Sequence, residues 1–514
     1  MVIRKAPMRS NSWRRILVVF LLLVQMLITA FFLYTTSQTF HNVYLLLIVT
    51  SILVALYVGG RQDNYAYKTL WIMTILIIPI FGGAFYLLLN HQEMGGKFRK
   101  RLREATSLVR SHAVQKESCL FLAREAWPDY AVLMSYLEKH AVFPVYAHTD
   151  AEFFDSGETL FVRVLEELEK AERYVFVESF IMAEGRMLGA ILDKLEAKVK
   201  QGVLVRIMYD DFGCVGTLPK NYRQYLKSRG FQCAVFNPFR PVLSTLQNNR
   251  DHRKIISIDG KTVFTGGVNL ADEYINEYER FGHWRDSGIM LRGEAAWGLT
   301  LVFLQLWNFS NNKFDDDFGG FYPWREETCA QETDGFVQPY ADNPMDKENV
   351  GEQVYMRVIS GAREYLYINT PYLIIDGVIL AALKLAAKSG VDVRIMTPCI
   401  WDKRLVHYTT RSYYRELIET GVKIYEYTPG FNHSKTFVSD DRVATVGTVN
   451  LDYRSLYLHF ECGVVMYGSG AVWDIKEDFL RTLSVCREIA LEDCRNNVFV
   501  RTLQELLRIF APLM

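Results

Sequence analysis

Two things are scarce in this chain: an excess of charge of either sign and any cysteine pattern. Lysine plus arginine and aspartate plus glutamate number 58 each in 514 residues, so the overall balance carries no electrostatic footprint for nucleic acid. The eight cysteines (Cys119, Cys214, Cys233, Cys329, Cys399, Cys462, Cys486 and Cys494) form no C-x-x-C pair and sit beside no histidine cluster. That excludes a disulfide frame or a zinc finger and reads as reduced thiols in a cytoplasmic body. Proline (14) and glycine (33) are not enriched, and half of the residues are hydrophobic, which excludes a disordered or collagen-like chain. At about 150 residues per domain the length predicts three structural units.

What is present begins with three apolar runs without a charge, 16–34, 43–60 and 70–89. Each is long enough to cross about 30 Å of hydrocarbon as a helix. Arg4, Lys5, Arg9, Arg14 and Arg15 place the N-terminus inside, and Arg61 and Lys68 bring the chain back inside after two crossings. Lys97, Arg99, Lys100, Arg101 and Arg103 form the densest basic cluster, fitted to anionic membrane lipid. A third full crossing would put that cluster outside. Pro79 and Gly82-Gly83 therefore mark the third run as broken or re-entrant, which keeps the body on the cytoplasmic side of the membrane.

The remainder repeats itself at about 180–190 residues. Residues 174–178 and 203–209 read as strands around a helical stretch 187–200, and 365–369, 378–388 and 391–396 repeat that order. Gly202-Val203-Leu204-Val205-Arg206-Ile207-Met208 matches Gly390-Val391-Asp392-Val393-Arg394-Ile395-Met396. Alternating strands and helices predict an α/β fold built twice. The expected organisation is a membrane region 1–95, a basic connector 96–145, a first domain 146–312, a linker 313–353 and a second domain 354–514.

Each copy ends in one pattern, H-x-K-x4-D-x6-G-[GT]-x-N: His252, Lys254, Asp259 and Asn269, then His433, Lys435, Asp440 and Asn450. On a strand, residues two apart share a face, so histidine and lysine project together while the aspartate falls out of phase in a turn. Geometry alone gives Asp259 and Asp440 a hairpin-stabilising role. Two imidazoles and two ammonium groups brought together suit a phosphate diester: the lysines neutralise its oxygens, one imidazole attacks phosphorus and the other protonates the leaving oxygen. A lysine beside each histidine disfavours a metal site. Asp286 and Glu461, 34 and 28 residues after the motif histidines, are the expected orienting carboxylates.

This duplicated pattern, with Asn249-Arg250-Asp251 before the first histidine, Leu451-Asp452-Tyr453-Arg454-Ser455 after the second motif, and Pro79-Ile80-Phe81-Gly82 with Tyr86, resembles the phospholipase D superfamily and, within it, bacterial cardiolipin synthases. The resemblance implies two phospholipase D-like α/β/α domains paired with pseudo-twofold symmetry around one active site. It implies transfer of a phosphatidyl group from one phosphatidylglycerol to another through a phosphatidyl-histidine intermediate, giving cardiolipin and glycerol with no cofactor and no metal. His252 would be the nucleophile and His433 the acid and base, with the roles exchangeable. Glu461 would pair crosswise with His252, and Asp286 with His433. Asn269 and Asn450 would hold phosphate oxygens or the motif loops, and Asp259 and Asp440 join the catalytic set. The segment 401–414 is a candidate headgroup entrance or a core-covering helix. A hydrolase, a transphosphatidylase using phosphatidylethanolamine, and a non-catalytic lipid-binding protein stay open as alternatives.

Overall fold

The computed structural model describes residues 41–61, 64–78, 82–90, 94–239, 245–311, 318–323, 335–346 and 348–514, with 27, 31, 34 and 35 in isolation. The chain divides into two compact units, Met1–His91 and Gln92–Met514.

In the first unit, helices His41–Gly60, Tyr65–Ile77 and Gly82–Asn90 pack around Ala55, Val58, Ile75 and Tyr86. The helices touch closely at Gly82, where a Cβ would lie 2.7 Å from the Ile75 Cα. The apolar run 70–89 is thus not one helix: its parts belong to helices of 13 and 9 residues, each shorter than the about 20 residues a crossing takes. The run 16–34 falls almost wholly outside the described residues. Among the described residues no helix is long and apolar enough to cross a membrane, so the expected multi-pass arrangement is not reproduced there.

Among the described residues the second unit holds two large sheets and two two-stranded ones. The first is built from β1 (Thr149–Phe154), β2 (Tyr174–Ser179), β3 (Leu204–Asp210), β4 (Gln232–Phe236), β5 (Lys254–Ile258), β6 (Thr262–Gly266) and β8 (Gly288–Gly293), while β7 (His283–Arg285) stands outside it. Its order is β1-β8-β6-β5-β2-β3-β4. The later strands are β9 (Phe336–Asp342), β10 (Tyr365–Asn369), β11 (Leu373–Ile374), β12 (Asp392–Pro398), β13 (Lys423–Tyr427), β14 (Gly430–Asn432), β15 (Thr436–Ser439), β16 (Val443–Gly447), β17 (Leu451–Asp452), β18 (Glu461–Tyr467) and β19 (Cys486–Ile489). The two-stranded sheets pair β11 with β17 and β14 with β7, and the second large sheet runs β19-β13-β12-β10-β15-β16-β18-β9. Apart from β19 at the edge, it repeats the first strand for strand, which is the duplication seen in three dimensions. Each sheet contains a parallel triplet, β2-β3-β4 and β10-β12-β13, and β2 is buried along its whole length, as parallel strands covered on both faces are.

Two expectations about boundaries change. The stretch 313–353 is not all linker: β9 lies within it as an edge strand, the position where Pro339 is tolerated because no ladder donor is needed there. The stretch 96–145 is not a free connector either. Helix Met94–His112 buries Leu102 and Val109 in a cluster with Trp297, Leu301 and Trp307 from helix Ala295–Asn311, which is buried through Phe309 on every face. A helix apolar all round belongs inside a core. The seven cysteines among the described residues are free thiols.

Asp259 and Asp440 do what their turn positions predict. Both adopt left-handed backbone, φ 53 and 56. Asp259 accepts hydrogen bonds from the backbone N–H groups of Glu172, Arg173 and Tyr174 at 2.8 Å, and Asp440 from those of Arg363, Glu364 and Tyr365 at 2.8, 3.0 and 2.9 Å. Each side chain thereby ties the motif hairpin to the start of the central strand. Asp259→Ala leaves three amides without an acceptor and is expected to lower the unfolding free energy by about 2–4 kcal/mol. Asp259→Asn, which tolerates the left-handed turn, loses less; a thermal melt showing no change for the alanine variant would refute the clamp.

Candidate active site

Two short parallel pairings between the copies build the site. Strand β14 pairs with β7, Phe431 opposite Trp284 and Asn432 opposite Arg285, and the His433 N–H donates to the Arg285 carbonyl at 2.7 Å. In the mirror relation Asp251 bridges Phe460, and the His252 N–H donates to the Phe460 carbonyl at 2.9 Å. The segment ending in each histidine therefore lies beside the segment that ends in the other copy's carboxylate.

The consequence is a crossed pair of dyads. His252 Nδ1 lies 2.9 and 3.0 Å from the two Glu461 carboxylate oxygens, and His433 Nδ1 lies 2.7 Å from Asp286 Oδ2. The carboxylates accept, so Nδ1 carries the proton on each ring and Nε2 keeps its lone pair. All four side chains are buried. Glu461 also accepts from Thr448 Oγ1, and Asp286 from the Ser287 N–H at 2.9 Å. Lys254 Nζ donates to the His252 carbonyl at 2.6 Å, and Lys435 Nζ to the His433 carbonyl.

Burial first, then the two lysines, drives His252 well below its ordinary pKa. Burial and Lys435 lower His433 to about 4, against the pull of Asp286. Burial likewise lowers Lys254 to about 8 and Lys435 to about 7. At Asp286 burial pushes upward, but His433 and Lys435 hold the carboxyl below its usual value. At Glu461 burial prevails over Lys254 and raises it to about 7. The free site thus presents neutral imidazoles beside cationic groups that gain from an anion.

The other sequence candidates divide. Asn269 Oδ1 accepts from the Ile181 N–H at 3.0 Å and its Nδ2 donates to Tyr274 Oη at 2.7 Å, so it braces the motif loop. Asn450 Oδ1 is buried without a hydrogen-bond partner. Asp259 and Asp440 are seven residues beyond their histidines, about 20 Å along an extended chain, and their carboxylates are occupied by the backbone amides of the clamp. In the segment 401–414, Lys403 is exposed, lies 3.4 Å from Tyr372 Oη and acts electrostatically on His252, which places it at the rim.

Several site neighbours carried no signal that the motif search could use. Phe180 stands against His252 with ring centroids 5.1 Å apart, and Trp284 and Tyr274 against His433 at 5.2 and 5.8 Å. His459 lies two residues before Glu461, its ring centroid 5.6 Å from that of His252 and its Nδ1 3.8 Å from Glu461 Oε1. The equivalent residue in the first copy is Trp284, two before Asp286, whose Nε1 donates to Asp286 at 3.3 Å. Register along the carboxylate strand would have pointed to both. Behind His252, the buried Glu178 and Asp251 meet. Among the described residues no hydrogen-bond donor reaches either Glu178 oxygen or Asp251 Oδ2, and burial with the Asp251 charge raises Glu178 well above the carboxylate range. Behind His433 the same places hold Asn369 and Asn432, with Asn432 Nδ2 donating to Asn369 Oδ1 at 3.1 Å.

His252, His459 and Glu461 bring ligand-type atoms within 4.8 Å of one another. The cationic Lys254 and Lys435, which already act on His252, oppose a divalent ion there. What the arrangement suits is nucleophilic substitution at phosphorus: a neutral Nε2 on one side, a second Nε2 to pass a proton on the other, and ammonium groups for the equatorial oxygens.

Comparisons with known proteins agree with this geometry. The family described as cardiolipin synthase, PLD-like domain, matches residues 164–280 and 355–483, one match in each copy. The chain is 34% identical over 460 residues to a cardiolipin synthase of Halalkalibacterium halodurans, covering 88% of this chain and 90% of that one. It is 33% identical over 494 residues to one from a Geobacillus species, covering 94% and 95%, and 41% identical over 460 residues to an uncharacterised protein of Streptococcus mutans, covering 89% and 98%. The crystal structure of phosphatidylserine synthase from Haemophilus influenzae superimposes with a TM-score of 0.55 at 16% identity, covering 74% of this chain and 97% of that one, a likeness of fold. With the duplicated motif, the repeated sheet and relatives along nearly its whole length, the chain belongs to the cardiolipin synthase family of phospholipase D-like proteins.

Proposed function

We propose that this protein is a phosphatidyltransferase that joins two phosphatidylglycerol molecules into cardiolipin and releases glycerol. The observation that carries the reading is the crossed pair of buried His–carboxylate dyads with a lysine beside each. His252 Nε2 attacks the phosphorus of the first lipid as the bond to the glycerol oxygen breaks, and His433 gives that oxygen its proton. The second phosphatidylglycerol then loses its hydroxyl proton to His433 while its oxygen displaces His252 from phosphorus. The division of roles follows from the carboxylates. Asp286 stays ionised and stabilises a charged His433, as an acid and base requires. His252, set among Lys254, Lys435 and Lys403, is held neutral, as a nucleophile requires. The bound diester's negative charge raises His433 so that it can carry the proton.

The aromatic walls at Phe180, Tyr274 and Trp284 limit water, which favours capture of the intermediate by a lipid alcohol over hydrolysis. The N-terminal apolar runs fit attachment to the bacterial plasma membrane, with the catalytic unit on the cytoplasmic side. Phosphatidylglycerol and anionic lipid are then the molecular partners.

Purified protein in detergent, given phosphatidylglycerol as its only lipid, is expected to release about one glycerol per cardiolipin; phosphatidic acid alone would make water the acceptor and the enzyme a hydrolase. His252→Ala and His433→Ala are each expected to lower turnover by about a thousandfold or more while retaining bound lipid. Chelation of divalent metals is expected to leave turnover intact, and abolition reversed by one added metal would overturn the metal-free mechanism. The pH profile of kcat/KM, which reports the free enzyme, should fall on the alkaline side as Lys435 and Lys254 lose their protons at about 7 and about 8. It should fall on the acid side as the nucleophile His252 gains one, well below the ordinary histidine range. A profile rising steadily through the lysine range would remove the lysines from phosphate binding.

A further inference from the structure

The C-terminal helix Val498–Ile509 covers only part of its apolar surface. Its body-facing side sets the half-buried Val500 and Leu507 beside Gln504, which is buried and donates to the Tyr408 carbonyl at 3.4 Å, and Arg508, which pairs with Glu416 at 3.1 Å and lies over the Tyr413 ring. At 100° per residue, positions 499, 503, 506 and 510 fall within one narrow stripe on the opposite side. Those four are apolar and exposed, Phe499 at 87%, Leu503 at 42%, Leu506 at 50% and Phe510 at 46%. Val500 and Leu507 are enough to seat the helix on its own domain, and the stripe of four larger side chains is left uncovered.

The charges around it name the occupant. Residues 495–514 carry Arg495, Arg501 and Arg508 against Glu505 alone, and residues 400–418, which the helix packs against, carry Lys403, Arg404, Arg411 and Arg415 against Asp402 and Glu416. Trp401 and Leu405, at 47% and 58% exposure, extend the apolar surface along that neighbouring segment, whose Lys403 stands at the rim of the catalytic site. An apolar stripe bordered by arginine and lysine is the signature of a helix lying in an anionic bilayer surface. We propose that the helix Val498–Ile509 and the adjoining segment 401–405 form a docking face for an anionic lipid surface, holding the catalytic mouth against the bilayer from which the lipid enters.

The test uses the full-length protein reconstituted in vesicles. An environment-sensitive fluorophore on Leu506→Cys, with signal from labelled wild type subtracted for the native cysteines, is expected to shift to the blue in phosphatidylglycerol vesicles and to be quenched by a lipid-borne quencher. It should do neither in phosphatidylcholine vesicles. The triple variant Phe499→Asp, Leu503→Asp, Leu506→Asp is expected to transfer about tenfold more slowly on phosphatidylglycerol in vesicles and at the wild-type rate on a monomeric short-chain phosphatidylglycerol. Val378→Asp with Leu385→Asp, on exposed apolar residues elsewhere, is the control and should change neither rate. The rate arm rests on the phosphatidyl-transfer reading, whereas the fluorescence arm needs no turnover, so the two readings fail separately. A label that stays in water in anionic vesicles overturns the proposal. So does burial of the label that disappears on dilution without lipid quenching, which would make the stripe a contact between copies of this chain. Equal loss of rate on both substrates overturns it as well, by making the stripe structural.

Discussion

Everything in the catalytic unit depends on one exchange: each histidine is oriented by a carboxylate that belongs to the other copy. Imidazole and carboxylate are costly to bury singly, and breaking such a pair costs several kcal/mol because a lone charge stays behind. Neither half can therefore complete its own site. The exchange is fixed by backbone, since β7 and β14 pair in parallel and the stretch at Asp251 pairs with Phe460 in the same sense. The hairpins that carry the histidines are in turn tied at their far ends by Asp259 and Asp440. The polar seam continues beyond the dyads, with Ser287 and Ser434 joined across it at 2.6 Å.

The site is a reservoir of unspent positive charge. With Lys254, Lys435 and the rim residue Lys403 around it, burial lowers both motif lysines toward neutrality. A phosphodiester arriving there restores what burial took away: it raises the lysines and His433 together, and binding and protonation become one event. The donors are held in place before the substrate arrives, so little has to be reorganised when it binds.

Much of this was legible in the sequence because duplication supplies its own control. The histidines, lysines and aspartates stand at one spacing in both copies, and strand periodicity separated the out-of-phase Asp259 and Asp440 from the groups that share a face. Asp286 and Glu461 were found by parallel position, and the pairing of β7 with β14 and of Asp251 with Phe460 puts each across the seam from the histidine of the other copy. What escaped is what has no counterpart or lies at an edge. His459 answers to Trp284, so no repeat pointed to it. Strand β9 hid in a stretch rich in aspartate, glycine and proline because an edge strand accepts such a composition. Helix Met94–His112 reads as basic on the page while its other face is sealed by Trp307 and its neighbours. The break in the third apolar run was visible at Pro79 and Gly82, where chain chemistry overrides hydropathy.

The floor beneath the two histidines shows how far the copies have parted. Glu178 with Asp251 in one copy and Asn369 with Asn432 in the other stand at equivalent places, all four buried. The exchange is chemically as small as oxygen for nitrogen, with one methylene added at Glu178. Its effect is not small: one half sets two acidic groups close together in the interior, while the other closes the same place with an amide-to-amide hydrogen bond. A duplicated protein that looks symmetrical from its backbone has thus acquired a front and a back, and the two halves are no longer interchangeable parts.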